Sequence, residues 1–235
     1  MKKNKFMNDS DFLVVLDFDS LIYYKNNWRI IHPIIGRIGS SVDLLWVMNF
    51  YLENRQKKQF NLFEYCIPDV LDIPIISKDQ ALKENLNIMP LNKLQEAILQ
   101  HKIRGRKIYC ITLIYNEKIK EIIKFKVIPQ DSSLKEIFNQ IRWKEYWITP
   151  SIPKIKSYEY PQFSKLLFIK KLLKTINPKE QKIDFIFNEK FKRIFYYTTD
   201  ITMLEILNQY FLEHRNEYEY RQNTVISYLI ANILE

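Results

Sequence analysis

Glycine is nearly absent from this chain. Three occur in 235 residues, Gly36, Gly39 and Gly105, where average usage of about 7% would give roughly sixteen. Glycine supplies positive-φ turns and lets a backbone approach a phosphate closely. Neither GxGxxG nor the P-loop pattern GxxxxGKS/T occurs, which argues against dinucleotide-fold and P-loop chemistry. Cysteine is scarcer still. Cys66 and Cys110 lie in the apolar surroundings EYCIPD and IYCITL, so they read as buried, inert thiols and not as a disulfide framework. That usage points to an intracellular, reducing compartment, the cytoplasm or an organelle interior. The histidines, His32, His101 and His214, are too far apart to read as a zinc site. No apolar run approaches the roughly 18–20 residues of a membrane span. The basic start MKKNKFMNDSD lacks the following apolar segment and small-residue cleavage site of a secretory signal.

What is present is an ordinary globular balance with a basic excess. Hydrophobic residues make up 47% and charged residues 27%, which excludes a disordered chain. The net charge of +9 comes from 36 basic and 27 acidic residues and suggests an anionic partner such as nucleic acid. The richness in Lys, Ile, Asn, Phe and Tyr also fits AT-rich coding, under which many lysines are simply solvated.

FLVVLDFDSLIYY, Phe12 to Tyr24, opens as a continuous apolar run and reads as a buried strand. Ser40 and Asp43 give a capping pattern for a helix after Gly36 and Gly39. Leu91, Leu94, Ala97 and Ile98 fall at helical spacing between Pro90 and about Lys102. RKIYCITLIYNEKIKEIIKFKVIP reads as two strands around Asn116–Glu117, with Lys118, Lys120, Lys124 and Lys126 on one face of the second. KIDFIF and KRIFYYT repeat the hairpin pattern, and Asp200 caps the helix that follows. FSKLLFIKKLLKTI reads as a helix stopped by Asn177–Pro178, and NTVISYLIANILE as a final apolar helix. The expected architecture is α+β: antiparallel hairpins packed with several helices, around one buried N-terminal strand. It forms a single domain over 1–235, or splits near 155 at the proline-rich 148–162 into 1–148 and 162–235.

Two groups of residues could carry function. Asp17 and Asp19 point to one face if the strand continues through both. Paired carboxylates need a cation, a shared proton or solvent, and Mg²⁺ suits them. The plainer role is a strand end that caps a turn, with Ser20 helping. The second group is basic: the KIRGRK segment with Arg104 and Arg106, and the row Lys118, Lys120, Lys124 and Lys126. These can track phosphates, with Tyr109 and Tyr115 available for base stacking, or serve as a solvated face that discourages edge aggregation. Lys165, Lys170, Lys171 and Lys174 form a further basic set.

LDFDSLIYY resembles the opening of PIN-type nucleases, and RIFYYTTDITMLEIL resembles their later strand-to-helix segment. That resemblance implies Asp17 and Asp200 as metal ligands, with Asp19 replacing the usual Asn. The same opening is similar to the first motif of haloacid-dehalogenase-type phosphatases. That resemblance implies Asp17 as nucleophile, Asp19 as general acid and base, and Thr112 or Thr198 at the phosphate. It also implies a later Lys and an acidic pair.

Two function classes follow. The first is a basic binding module without a cofactor, for nucleic acid, another anion or a protein partner. The alternative is a Mg-dependent phosphoryl-transfer hydrolase built on Asp17 and Asp19, with Asp200 as a further metal ligand.

Overall fold

The structure is a computed structural model that describes residues 8–17, 20, 73–112, 145–147, 161–177 and 189–234. Its frame is a six-stranded sheet. In chain order the strands are β1 (Phe12–Asp17), β3 (Ile88–Met89), β4 (Lys107–Thr112), β5 (Glu145–Trp147), β6 (Arg193–Thr198) and β7 (Val225–Ile230). They lie in the order β3-β7-β6-β1-β4-β5, and every pairing is parallel. A two-stranded parallel sheet joins β2 (Ile75–Ser77) to β8 (Asn232–Leu234).

This is an α/β architecture, and it overturns the expected antiparallel hairpins. The run Lys107–Thr112 does not turn back on its own neighbour. Its partners are β1 on one edge and β5 on the other. Both edges of Arg193–Thr198 are taken by β1 and β7, which leaves no place for an antiparallel mate. The physical clue lies in β1, where all six residues are buried. A strand covered on both faces reads as continuous apolar sequence, the signature of a parallel sheet. The expected second strand of the first hairpin, with its lysine row, and KIDFIF of the second lie outside the described residues, as does the helix expected after Ser40.

The final segment is also corrected. It forms β7 and β8 and no helix. Its Val, Ile and Tyr content favours a strand, and Asn223 takes a positive φ of 53° just before β7. The helices read near Pro90 and after Asp200 are present as α2 (Leu91–Ile103) and α4 (Ile201–Glu213), α3 (Pro161–Leu172) ends before the expected Asn177–Pro178 stop, and α1 (Lys78–Lys83) was not expected. Among the described residues, no helix is long and apolar enough to cross a membrane.

In-register neighbours of a sheet share a face. Val15, Tyr196 and Ser227 stand on one face, while Leu16, Tyr197 and Tyr228 stand on the other. Helices α3 and α4 cover the first: Lys165 of α3 reaches Asp17, and Asn208 of α4 accepts a bond from Ser227. Helix α2 covers the second, where His101 meets Tyr197. Fully buried Leu13, Val14, Val15, Leu16, Ile111 and Ile194 form the middle, each contributing about 1.5–3 kcal/mol relative to exposure. Beyond β7, Ile76, Leu204, Leu229 and Ala231 pack the small sheet against the large one.

Candidate functional site

The strand order places a topological switch at β1. After laying β3 at the far edge, the chain builds outward from β1 through β4 and β5 on one side, then returns to lay β6 and β7 between β1 and β3 on the other. In open α/β sheets, ligands bind outside the carboxyl ends of the strands at such a point. Asp17 is the last residue of β1 and Thr198 the last of β6, so both stand at that edge. Thr112 ends β4 on the other side of β1.

Asp17 is fully buried and surrounded by donors. Its Oδ1 accepts from Lys165 Nζ at 2.8 Å and from the Ser20 backbone N–H at 3.4 Å. Its Oδ2 accepts from the Tyr196 hydroxyl at 2.8 Å and lies 3.1 Å from the Thr198 hydroxyl. The Lys165 side chain is itself only 5% exposed. Ser20 ties the turn together. Its hydroxyl donates to the Asp17 carbonyl at 3.0 Å and accepts from the Thr199 N–H at 3.0 Å. The Thr199 hydroxyl donates to the Ser20 carbonyl at 2.6 Å. The result is a buried ion pair lined by hydroxyls.

Asp200 closes the same edge. Its Oδ1 accepts from the Met203 N–H at 3.1 Å, capping α4, and its Oδ2 accepts from Gln162 of α3 at 3.1 Å. The capping role expected for it is observed. Asp19 lies outside the described residues. Among the described residues no group of three or more His, Cys, Asp or Glu could hold a metal ion. With both Asp17 oxygens engaged, one of them by an ammonium, and with Asp200 bound to a cap and an amide, the described carboxylates do not fit a magnesium cage.

The basic candidates separate from this site. Leu13 pairs with Lys107 and Asp17 with Ile111, so KIRGRK meets the sheet at the amino edge, the opposite end from Asp17. Arg106 there is built into the fold. Its Nε donates to Asp9 at 2.8 Å, and its guanidinium lies 4.5 Å from the Phe12 ring centroid and 5.0 Å from that of Phe195. Lys107 pairs with Glu189. Arg104 is exposed at the end of α2. Gly105 beside it has φ 71°, which explains the rare glycine. Lys118, Lys120, Lys124 and Lys126 lie outside the described residues.

Arg106 also fixes His101. Guanidinium nitrogen can only donate, so His101 Nδ1, 3.1 Å from Arg106, is an acceptor. The ring proton of the neutral imidazole then sits on Nε2 and is donated to the Tyr197 hydroxyl at 2.8 Å. Burial first, then the Arg106 and Arg104 charges, lower the His101 pKa to about 4. Burial also pushes the Tyr197 hydroxyl above its ordinary value.

Two members of the Asp17 cluster escaped the sequence as such. Lys165 stood only among surface lysines, although Lys165, Phe168, Ile169 and Leu172 share one stripe at helical spacing, and all are buried. A lysine on the apolar stripe of a helix is the signal that would have found it. Tyr196 carried no signal beyond a tyrosine in a buried strand. No family model, no curated protein and no solved structure matches the chain.

Proposed function

We propose that the Asp17 edge is a phosphoryl-transfer site acting on phosphomonoesters. The observation that carries this reading is the Lys165–Asp17 ion pair at the switch point. A buried ion pair does little for stability, since apolar residues of the same size serve as well or better. Buried, mutually paired titratable groups at a ligand-binding edge are instead what chemistry needs. The hydroxyls of Ser20 and Thr198 beside the pair suit phosphoryl oxygens. The resemblance to haloacid-dehalogenase-type phosphatases supports the same reading with Thr112 as the threonine at the phosphate, because Lys165 then stands where a later lysine is implied. The nuclease alternative draws less support, since it needs Asp17 and Asp200 free to hold metal.

In this reading the Asp17 carboxylate attacks phosphorus. An O–P bond to Asp17 forms, the ester P–O bond breaks, and the departing alcohol takes a proton from an acid, the role the resemblance gives to Asp19. Water then attacks the acyl phosphate, the Asp17 O–P bond breaks, and the water's proton is returned. Lys165 holds the carboxylate in place and offsets charge on the phosphoryl oxygens.

The test is hydrolysis of p-nitrophenyl phosphate by the full chain, with added Mg²⁺ and with EDTA, beside Asp17→Asn. Turnover that Asp17→Asn abolishes supports the reading. No turnover by the unaltered chain in either condition, across a panel of small phosphomonoesters, refutes it.

A second reading is favoured by one observation: the four described donors around Asp17, from Lys165, Ser20, Tyr196 and Thr198, all bond to it within the fold, as in a structural brace. The chain would then be a basic binding module acting elsewhere, through Arg104 and the 118–126 lysines. Nucleic-acid binding with a steep salt dependence, flattened by Arg104→Ala, Lys120→Ala and Lys124→Ala, supports it. Absence of binding at low salt rules it out.

A further inference from the structure

The two oxygens of Asp17 are not equivalent, and the difference decides which one can react. Oδ1 is held by a charge-assisted bond from Lys165 and by the Ser20 N–H. Freeing it would break a buried ion pair. Oδ2 is held by two neutral hydroxyls, Tyr196 and Thr198, which stand two residues apart on the same face of β6. Thr198 has one proton and two acceptors for it, Asp17 Oδ2 at 3.1 Å and Ser20 Oγ at 3.3 Å. Ser20 Oγ can take it, since it donates its own proton to the Asp17 carbonyl and has a lone pair left beside the one that accepts the Thr199 N–H. A turn of the Thr198 hydroxyl therefore releases one lone pair of Oδ2 without moving a heavy atom. Thr198 Oγ1 also accepts from the Asp200 N–H at 3.0 Å, which anchors the oxygen while the proton turns.

Resting on the phosphoryl-transfer reading, we infer that Asp17 presents Oδ2 to its substrate and that Tyr196 is the positioning residue that holds it there. Tyr196 has the shorter of the two hydroxyl bonds to Oδ2 and is fully buried. Its ring is fixed in the sheet between Val15 and Ser227. Once Oδ2 has bonded to phosphorus, it keeps a lone pair for the same phenol, so Tyr196 holds the oxygen before and after the bond forms. Positioning of this kind acts on the chemical step and not on substrate capture.

The experiment compares the unaltered chain, Tyr196→Phe and Asp17→Asn. Each is assayed for p-nitrophenyl phosphate turnover, and for trifluoroberyllate binding by ¹⁹F NMR in Mg²⁺-containing buffer. Trifluoroberyllate mimics a phosphoryl group bonded to a carboxylate oxygen. In the unaltered chain, bound ¹⁹F signals are expected that Asp17→Asn abolishes. In Tyr196→Phe, kcat is expected to fall 10-fold or more at unchanged KM, with trifluoroberyllate affinity reduced in step. If Tyr196→Phe retains full kcat and trifluoroberyllate affinity while Asp17→Asn is dead, the inference fails and the phosphoryl reading stands. A rise in KM alone, or loss of cooperative unfolding in Tyr196→Phe, assigns the phenol to capture or to the fold and also overturns the inference. If the unaltered chain neither turns over substrate nor binds trifluoroberyllate, both fall together.

Discussion

Replacing Lys165 by Met should destabilise the protein far more than losing a surface lysine does. The ammonium sits 2.8 Å from Asp17, with the two side chains 5% and 0% exposed. Removing one partner of a buried pair leaves an uncompensated charge, at a typical cost of about 3–5 kcal/mol. Asp17 would keep its hydroxyl donors and the Ser20 N–H, so the lower end, about 3 kcal/mol, is expected. At about 2.1 cal/mol/K of unfolding entropy per residue, a chain this long would lose about 6 °C in Tm. The double variant Asp17→Leu/Lys165→Met removes both charges and should recover most of the loss, ending within about 1–2 kcal/mol of the unaltered protein. Urea denaturation of the four members of this cycle measures the coupling. A Lys165→Met cost below about 1 kcal/mol, the range of an exposed pair, would refute the burial argument. So would two single costs that simply add.

Further outcomes follow from other sites. Between pH 6.5 and about 4 the unfolded chain binds a proton at His101 that the folded chain refuses, so stability should be full above 6.5 and fall as pH drops through that window. The contribution is about 3 kcal/mol at most, and its removal in His101→Gln should flatten pH-dependent urea midpoints over that range. Arg106→Lys should not rescue Arg106→Ala in thermal melts, because stacking on Phe12 and Phe195 with a directed bond to Asp9 needs a planar fork. Gly105→Ala should cost about 1–2 kcal/mol by urea titration from its φ of 71° alone, since beyond its chain neighbours no atom lies within 4 Å of the added Cβ. Asp200→Ala should cost about 0.5–2 kcal/mol through the lost α4 cap, read by the same titration.

How much of this was legible in the sequence varies by residue. Phe12–Asp17 was readable because its first five residues, all buried, form an unbroken apolar run. Helix α2 and the Asp200 cap were readable because periodicity and capping are local. Sheet topology was not. The partners of Lys107–Thr112 lie about ninety residues earlier and a few dozen later, and neighbouring runs in sequence look like hairpins when nothing marks a crossover. Val225–Ile230 read as a helix because short apolar segments carry no decisive period, and its β-branched content was the better guide. Asp17 stood out in the sequence as a carboxylate at the end of an apolar run. Its surroundings were not visible, since Lys165, Tyr196 and Thr198 join it from 148 to 181 positions away.

That separation has a consequence for how the chain is made. Strand β1 leaves the ribosome long before β6, yet one of its flanks is filled only by β6, whose first residue is Arg193. Leu13, Val14, Val15 and Leu16, all with no exposure in the finished fold, must wait for it with one hydrogen-bonding edge open. An open, apolar edge is a template for pairing with other chains. A nascent chain halted before β6 should therefore be the species most prone to aggregate and most dependent on chaperones.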